Sequence, residues 1–110
     1  MRITIRDIGG TVVKEDDRYV VKDNTTLSNL VLSSTKLNPN KSTTGHAHKG
    51  QEEIYFFVKG AGTMEIDENR LLVFEEDIVL IEAGAFHRVN AGSKGLEFVC
   101  VFPNKRRSDD

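Results

Sequence analysis

Apolar residues occur along this chain in short runs that are rich in β-branched and aromatic side chains and are separated by Gly, Asn and Asp. No apolar period of 3.6 residues lasts long enough to predict a long helix. The pattern instead predicts a series of short strands. These predicted strands cover residues 2–6, 18–22, 27–37, 53–59, 63–67, 70–74, 77–82, 87–90 and 96–102.

The connections between these runs have the composition of turns. "GAG" at 60–62, "DENR" at 67–70 and "AGSKG" at 91–95 are therefore predicted to be loops. Closely spaced short strands with tight turns are typical of a β-sandwich or β-barrel. We expect a single domain over residues 1–110, with the barrel at about 18–102 and a charged, solvated tail at 103–110.

Composition narrows the class of protein further. A chain of 110 residues can form one ordinary domain, and 38% hydrophobic with 29% charged residues is typical of a soluble globular protein. A formal charge of −2 provides no basic surface for nucleic acid. No apolar run is long enough to span a membrane, and the first residues do not form a signal peptide, so a cytoplasmic location is expected. The one cysteine, Cys100, lies in an apolar run and is predicted to be a buried, inert thiol.

The three histidines suggest a metal site. His46 and His48 are two residues apart, so in an extended segment their side chains point to the same face. Glu53 follows after a tight connection that returns it beside this pair, and barrel closure can bring His87 to the same place. Imidazole and carboxylate ligands suit a divalent Fe, Mn, Ni, Co, Cu or Zn ion, and the residue types do not choose among them.

An HxH pair alone is a weak signal, because strand histidines are more often structural or solvated. The larger pattern here resembles the first motif of the cupin superfamily, G-x5-H-x-H-x3or4-E-x6-G. His46, His48, Glu53 and Gly60 fit its spacing, while Asn40 replaces the first glycine. Asparagine tolerates a positive φ better than other non-glycine residues, so the turn can be preserved.

The second cupin motif, G-x5-P-x-G-x2-H-x3-N, is matched with more departures. Gly84 and His87 are in place, whereas Glu76 and Glu82 replace the first glycine and the proline, and Asn90 comes one residue early. These departures fall in turns rather than at ligand positions.

The resemblance implies an all-β, single-domain cupin barrel (a double-stranded β-helix or jelly roll). It also implies one divalent transition-metal ion held inside the barrel. The implied ligands are His46, His48, Glu53 and His87.

Glu52 is an alternative to Glu53, because the motif allows either spacing. With Glu53 pointing inward, Tyr55 and Phe57 also point inward, and the interval to Gly60 is correct. We therefore favour Glu53. Both faces of this strand are then apolar, so an N-terminal strand or a second subunit must cover the outer face. Cupins of this size often pair through their sheets, which favours a homodimer.

Several further residues are candidates for the site. Besides Glu53, Tyr55 and Glu82 are candidate catalytic groups, although Tyr55 can equally be a core residue. Lys41, Lys49 and Arg88 flank the histidines and can bind an anionic group of a small-molecule substrate.

A finer resemblance suggests a reaction. "TTGHAH", "KGAGTM" and "HRVNAG" are similar to stretches of archaeal cupin-type phosphoglucose isomerases, whose chains are longer. This favours a metal-dependent isomerase acting on a sugar or sugar derivative. An Fe(II)-dependent dioxygenase and a non-catalytic module that binds a small molecule or metal are the alternatives.

Overall fold

The computed structural model describes residues 1–104, and these residues form strands and turns without an α-helix. No helix in this part of the chain could therefore cross a membrane. Most of the predicted tail, from residue 105 onward, lies outside the described residues. The strands are β1 (Thr11–Glu15), β2 (Tyr19–Asn24), β3 (Leu30–Leu37), β4 (Glu53–Ile66), β5 (Asn69–Phe74), β6 (Ile78–Ile81) and β7 (His87–Pro103).

All strand pairs are antiparallel, in the order β1-β2-β3-β7-β4-β5, and β6 also pairs with β4. The two long strands, β4 and β7, are the centre of the structure. The first half of β4 pairs with β6 and the second half of β7, whereas the second half of β4 pairs with β5 and the first half of β7. Register shifts separate the two halves. The predicted all-β barrel of the jelly-roll type is confirmed.

Glycines allow β4 to bend between its two halves. Gly60 has a φ of 90°, and a Cβ atom there would overlap the carbonyl oxygen of Gly95. A Cβ atom on Gly62 would overlap the carbonyl oxygen of Asn90. The backbones of β4 and β7 can therefore approach this closely only because these positions lack side chains.

The predicted loops at 60–62 and 91–95 are wrong, because both segments lie inside strands. Glycine-rich stretches are typical of turns, but here they form irregular points in two continuous ladders. The structure therefore has two long strands, β4 and β7, where the sequence pattern predicted four. The four predicted strands were 53–59, 63–67, 87–90 and 96–102.

The N-terminal prediction is also wrong. Residues 2–6 form no strand, and Thr4 instead makes a local turn in which its backbone N–H donates to the Asp7 carbonyl at 3.3 Å. The first strand is β1, which the sequence analysis did not predict. It is exposed along its whole length and pairs only with β2 among the described strands.

Alternation along β4 separates an inner face from an outer face. Glu53, Tyr55 and Phe57 are buried, whereas Ile54 is exposed and the next outward residues are half-buried. The predicted inward direction of Glu53 is thus observed. Cys100 is buried as predicted, with 6% of its surface exposed. The fully buried core side chains are Val31, Leu37, Phe57, Met64, Val73, Val89 and Leu96.

The N-terminal segment borders part of the outer face. Ile8 is 3% exposed, and its carbonyl accepts a hydrogen bond from the Asn24 side chain at 2.6 Å. Ile5 and Ile8 line one groove together with Val58 and Val99, which are outward residues of β4 and β7. N-terminal residues thus border the outer face, but they do not form the strand that the sequence predicted there.

Candidate metal centre

The beginnings of the two long strands bring the candidate ligands together. Glu53 is the first residue of β4, and His87 is the first residue of β7. His46 lies beside His87 because their backbones exchange two hydrogen bonds, at 3.1 and 3.0 Å. One ligand atom from each of these three residues lies within 4.8 Å of the other two.

This arrangement fits a divalent metal ion. Bonds of roughly 2.0–2.2 Å place ligand atoms on opposite sides of an ion about 4 Å apart. The ligand atoms here are at most 4.8 Å apart, so only small movements of the side chains are required to bind an ion. Two imidazoles and a carboxylate are ligands that first-row transition metals accept.

The orientation of His87 favours this role. Its Nδ1 atom lies 3.0 Å from the carbonyl oxygen of Ala85. A carbonyl only accepts, so Nδ1 carries the hydrogen, and in the neutral ring Nε2 then carries the lone pair. This hydrogen bond fixes the tautomer that a metal needs, as backbone carbonyls commonly do for ligating histidines.

The Nε2 atom of His87 lies 2.6 Å from Oε2 of Glu53, and each side chain is only 3% exposed. A neutral imidazole nitrogen and a carboxylate oxygen are both acceptors, so a cation bound by both would remove the repulsion between them.

His48 lies next to this group rather than within it. Its ring centre is 4.4 Å from that of His46 and 6.4 Å from that of His87. Of the four ligands that the sequence predicts, the structure thus brings three together and leaves the fourth adjacent. The rival carboxylate, Glu52, is exposed and does not belong to this group.

The candidate centre opens into a cavity of about 450 Å³ inside the barrel. Tyr55 lines this cavity, and its ring centre is 5.8 Å from that of His87. Exposed lining residues from β1 and from the segment before His46 mark the mouth. The lining residues are Val13, Lys14, Tyr19, Val21, Asp23, Ser33, Thr35, Thr43, Thr44, His46, Glu53, Tyr55, His87, Phe98, Cys100 and Phe102.

The remaining residues predicted from sequence do not line the cavity. Glu82 and Lys49 are exposed. The ammonium group of Lys41 lies 3.6 Å from a carboxylate oxygen of Asp17. Arg88 follows His87 on β7 and therefore points to the other face, where it pairs with a glutamate on β4.

That glutamate is Glu65, whose carboxylate accepts hydrogen bonds from Asn90 at 3.1 Å and from Arg88 at 2.9 Å. The bond from the Asn90 amide and then that from the Arg88 guanidinium lower the pKa of Glu65 below its ordinary value. Arg88 is thus paired with Glu65 on the barrel surface beside the candidate centre.

Arg18 was not predicted as a site residue but lies at the edge of the cavity mouth. It donates to the hydroxyl of Thr44 at 2.8 Å and to that of Tyr19 at 2.9 Å, and both of these residues line the cavity. Its pairing with Asp16 raises the pKa of Arg18 and lowers that of Asp16. Arg18 therefore connects β2 to the segment that carries His46.

Sequence reasoning also missed a polar wall on β2 and β3. Asp23, Ser33 and Thr35 are buried and line the cavity. Alternation could have identified them, because Asp23 has the same parity as Tyr19, and Ser33 and Thr35 have the same parity as Leu37. Polar residues at inward positions of a barrel strand are a signal of an internal site.

Comparison with known proteins identifies the family of this chain. A family model described as "Cupin domain" matches residues 33–102, so the chain belongs to the cupin family. The family membership predicted from the two motifs is confirmed. The oxalate-binding protein of Thermotoga maritima is 31% identical over 72 residues, which cover 64% of this chain and 60% of that protein. The chain thus spans less than two thirds of the relative's length.

Solved structures show the same fold. The structure of KdgF from Halomonas sp. superposes with a TM-score of 0.78 and 16% identity, covering 91% of this chain and 93% of that one. A deletion mutant of Bacillus subtilis oxalate decarboxylase superposes with a TM-score of 0.74 and 20% identity. That match covers 86% of this chain but only 27% of the decarboxylase chain. At these identities the likeness concerns the fold alone.

Proposed function

We propose that this cupin binds one divalent first-row metal ion and uses it to hold a small, oxygen-rich ligand in the barrel. The observation that carries the proposal is the buried contact between His87 and Glu53, beside His46 and facing the cavity. His48 is the proposed fourth ligand, because its ring is adjacent to that of His46. When bound, the metal supplies a Lewis acid for carboxylate, carbonyl or hydroxyl oxygens.

The proposed ligand is an organic acid or a sugar derivative. The curated relative from Thermotoga maritima is named as an oxalate-binding protein, which supports a carboxylate held at the metal. The cavity, at about 450 Å³, is also large enough for a ligand bigger than oxalate. Several hydroxyl-bearing side chains line it, which suits a polar molecule.

Isomerisation of a sugar derivative is the proposed reaction. The position of Tyr55 favours it, because this residue lines the cavity next to His87. The Tyr55 hydroxyl would donate a hydrogen bond or a proton to a substrate oxygen. Glu53 is less suited to move a proton while it holds the metal.

Calorimetric titration of oxalate tests the binding proposal. Metal-loaded protein should bind oxalate, and protein treated with a chelator should not. Binding of equal affinity to both forms, or to neither, would contradict the proposal. The same comparison with Mn, Fe, Co, Ni, Cu and Zn would show which metal supports binding.

Turnover is tested by incubating metal-loaded protein with aldoses, ketoses and their phosphates, with the chelated protein as control. Tyr55→Phe should lower the rate about 100-fold while changing the binding constant much less, if its hydroxyl transfers a proton. Tyr19→Phe is a matched control, because the Tyr19 hydroxyl is already engaged by Arg18. Tight binding without turnover would indicate that the protein is a non-catalytic binding module, and it would contradict the isomerase proposal.

A further inference from the structure

The cavity has a second polar region, on the wall formed by β2 and β3. Asp23, Ser33 and Thr35 are 9%, 6% and 8% exposed, and all three line the cavity that contains the candidate metal centre. Most other inward positions on these two strands are apolar. Polar side chains at these inward positions place hydrogen-bonding groups along a cavity wall that is otherwise apolar.

The strand register shows how this wall relates to the centre. Asp23 faces Ser33, Ser33 faces Cys100, and Cys100 faces Tyr55 across successive strands. Because neighbouring strands are about 4.8 Å apart, Asp23 lies about 14 Å from Tyr55 along the sheet. The row thus begins at Tyr55, beside the centre, and ends on the opposite wall of the same cavity.

The chemistry of the wall selects what it can bind. A carboxylate only accepts hydrogen bonds, whereas the hydroxyls of Ser33 and Thr35 both donate and accept. Hydroxyl groups of a ligand match all three. A second carboxylate on the ligand would be repelled by Asp23, and at low dielectric this repulsion is stronger than in water.

We propose that Asp23, Ser33 and Thr35 form a second subsite that binds the hydroxylated, uncharged end of a sugar acid whose carboxylate is held at the metal centre. The inference rests on the proposed function, since the metal centre must hold the first end. A two-carbon acid such as oxalate is too short to reach this wall. A six-carbon acid extends farther from the centre toward Asp23 than oxalate does.

Two matched probes test this subsite. D-gluconate and D-glucarate differ only at the far carbon, which carries a hydroxyl in the first and a carboxylate in the second. Calorimetry on the metal-loaded full chain should give an affinity for gluconate about tenfold or more above that for glucarate. Asp23→Asn should strengthen glucarate binding about tenfold and so remove most of the difference, while oxalate binding stays within about twofold.

Lys14→Gln is the control for a general charge effect, because Lys14 also lines the cavity but is exposed at its mouth. This variant should weaken the binding of both acids in the same direction. Ser33→Ala provides a second variant that retains the Asp23 charge, and it should weaken gluconate more than oxalate. Thermal unfolding of each variant shows that the fold is intact.

The outcomes separate the two proposals. If oxalate binds but gluconate and glucarate bind equally to the unmodified protein, the subsite proposal is overturned and the metal centre stands. Equal effects of Asp23→Asn on oxalate and on gluconate would also overturn the subsite. If none of the three acids binds the metal-loaded protein, the proposed function fails, and the subsite proposal fails with it.

Discussion

His87 and Glu53 begin the two longest strands of the barrel and meet in its interior, with Nε2 of one 2.6 Å from Oε2 of the other. Strand pairing places His87 opposite Ile66 at the far end of β4. The bend of β4 between its two halves brings Glu53, at the start of the strand, back beside His87. A cation bound by both acceptors would stabilise their burial. The site is thus a consequence of barrel closure.

His48→Ala should weaken metal binding at least about tenfold, because the His48 ring lies 4.4 Å from that of His46 and can complete the ligand set. His46→Ala should have a larger effect, since His46 already belongs to the close group. Competition with a fluorescent chelator measures both affinities. An unchanged affinity in His48→Ala would restrict the protein ligands to three.

Gly62→Ala should destabilise the fold by about 3 kcal/mol, because its Cβ atom would overlap the carbonyl oxygen of Asn90 at the bend of β4. Gly50→Ala is the matched control. It has a φ of 75° but no neighbouring atom within 4 Å of a Cβ, so it should cost about 1 kcal/mol. Urea unfolding followed by circular dichroism gives both values, and equal losses would contradict the close approach of β4 and β7.

Glu65 should contribute to the dependence of stability on pH. Hydrogen bonds from Asn90 and Arg88 hold its pKa in the folded state below the ordinary 4.5. Between the folded and unfolded pKa values the unfolded chain binds more protons, so this contribution is present above the unfolded pKa and is lost as pH falls through the folded one.

Urea unfolding between pH 3 and 7, with a chelator present to exclude metal effects, measures this contribution. The unmodified protein should lose more stability on acidification than Glu65→Gln, which lacks the titrating group. Identical pH profiles for the two proteins would show that the hydrogen bonds of Glu65 contribute nothing to the free energy of unfolding.

The predicted homodimer remains a prediction, and the outer face of β4 and β6 indicates where it would form. Ile54, Ile78 and Leu80 are 37%, 59% and 70% exposed on two adjacent strands. Among the described strands β6 pairs only with β4, so it is an apolar edge, which proteins usually cover. Light scattering of Leu80→Glu should show a monomer where the unmodified protein is a dimer; a monomeric unmodified protein would contradict the prediction.

The fold could be predicted from the sequence because short apolar runs and the spacing of the histidines are local signals. The inward position of Glu53 also followed from alternation, which distinguished it from Glu52. The bends at 60–62 and 91–95 could not be recognised, because glycines in a turn and in a strand bend look alike until the opposing backbone is known. The positions of Lys41 and Arg88 depended on acidic partners that are distant in sequence.

The polar wall was missed for a different reason. Alternation indicates that Asp23 and Ser33 point inward, but only the pairing of β2 with β3 and of β3 with β7 shows that they face the same cavity as Tyr55. Strand register, rather than composition, brings them to the site.

Metal content per chain tests the central claim most directly, with Glu53→Gln and Glu52→Gln as a matched pair. Adjacent glutamates have the same chemistry, but Glu53 is buried beside His87, whereas Glu52 is exposed. After loading and removal of excess metal, the unmodified protein and Glu52→Gln should each retain one divalent ion per chain, and Glu53→Gln should retain almost none. Full metal content in Glu53→Gln, or equal losses in both variants, would contradict a metal centre at His46, Glu53 and His87.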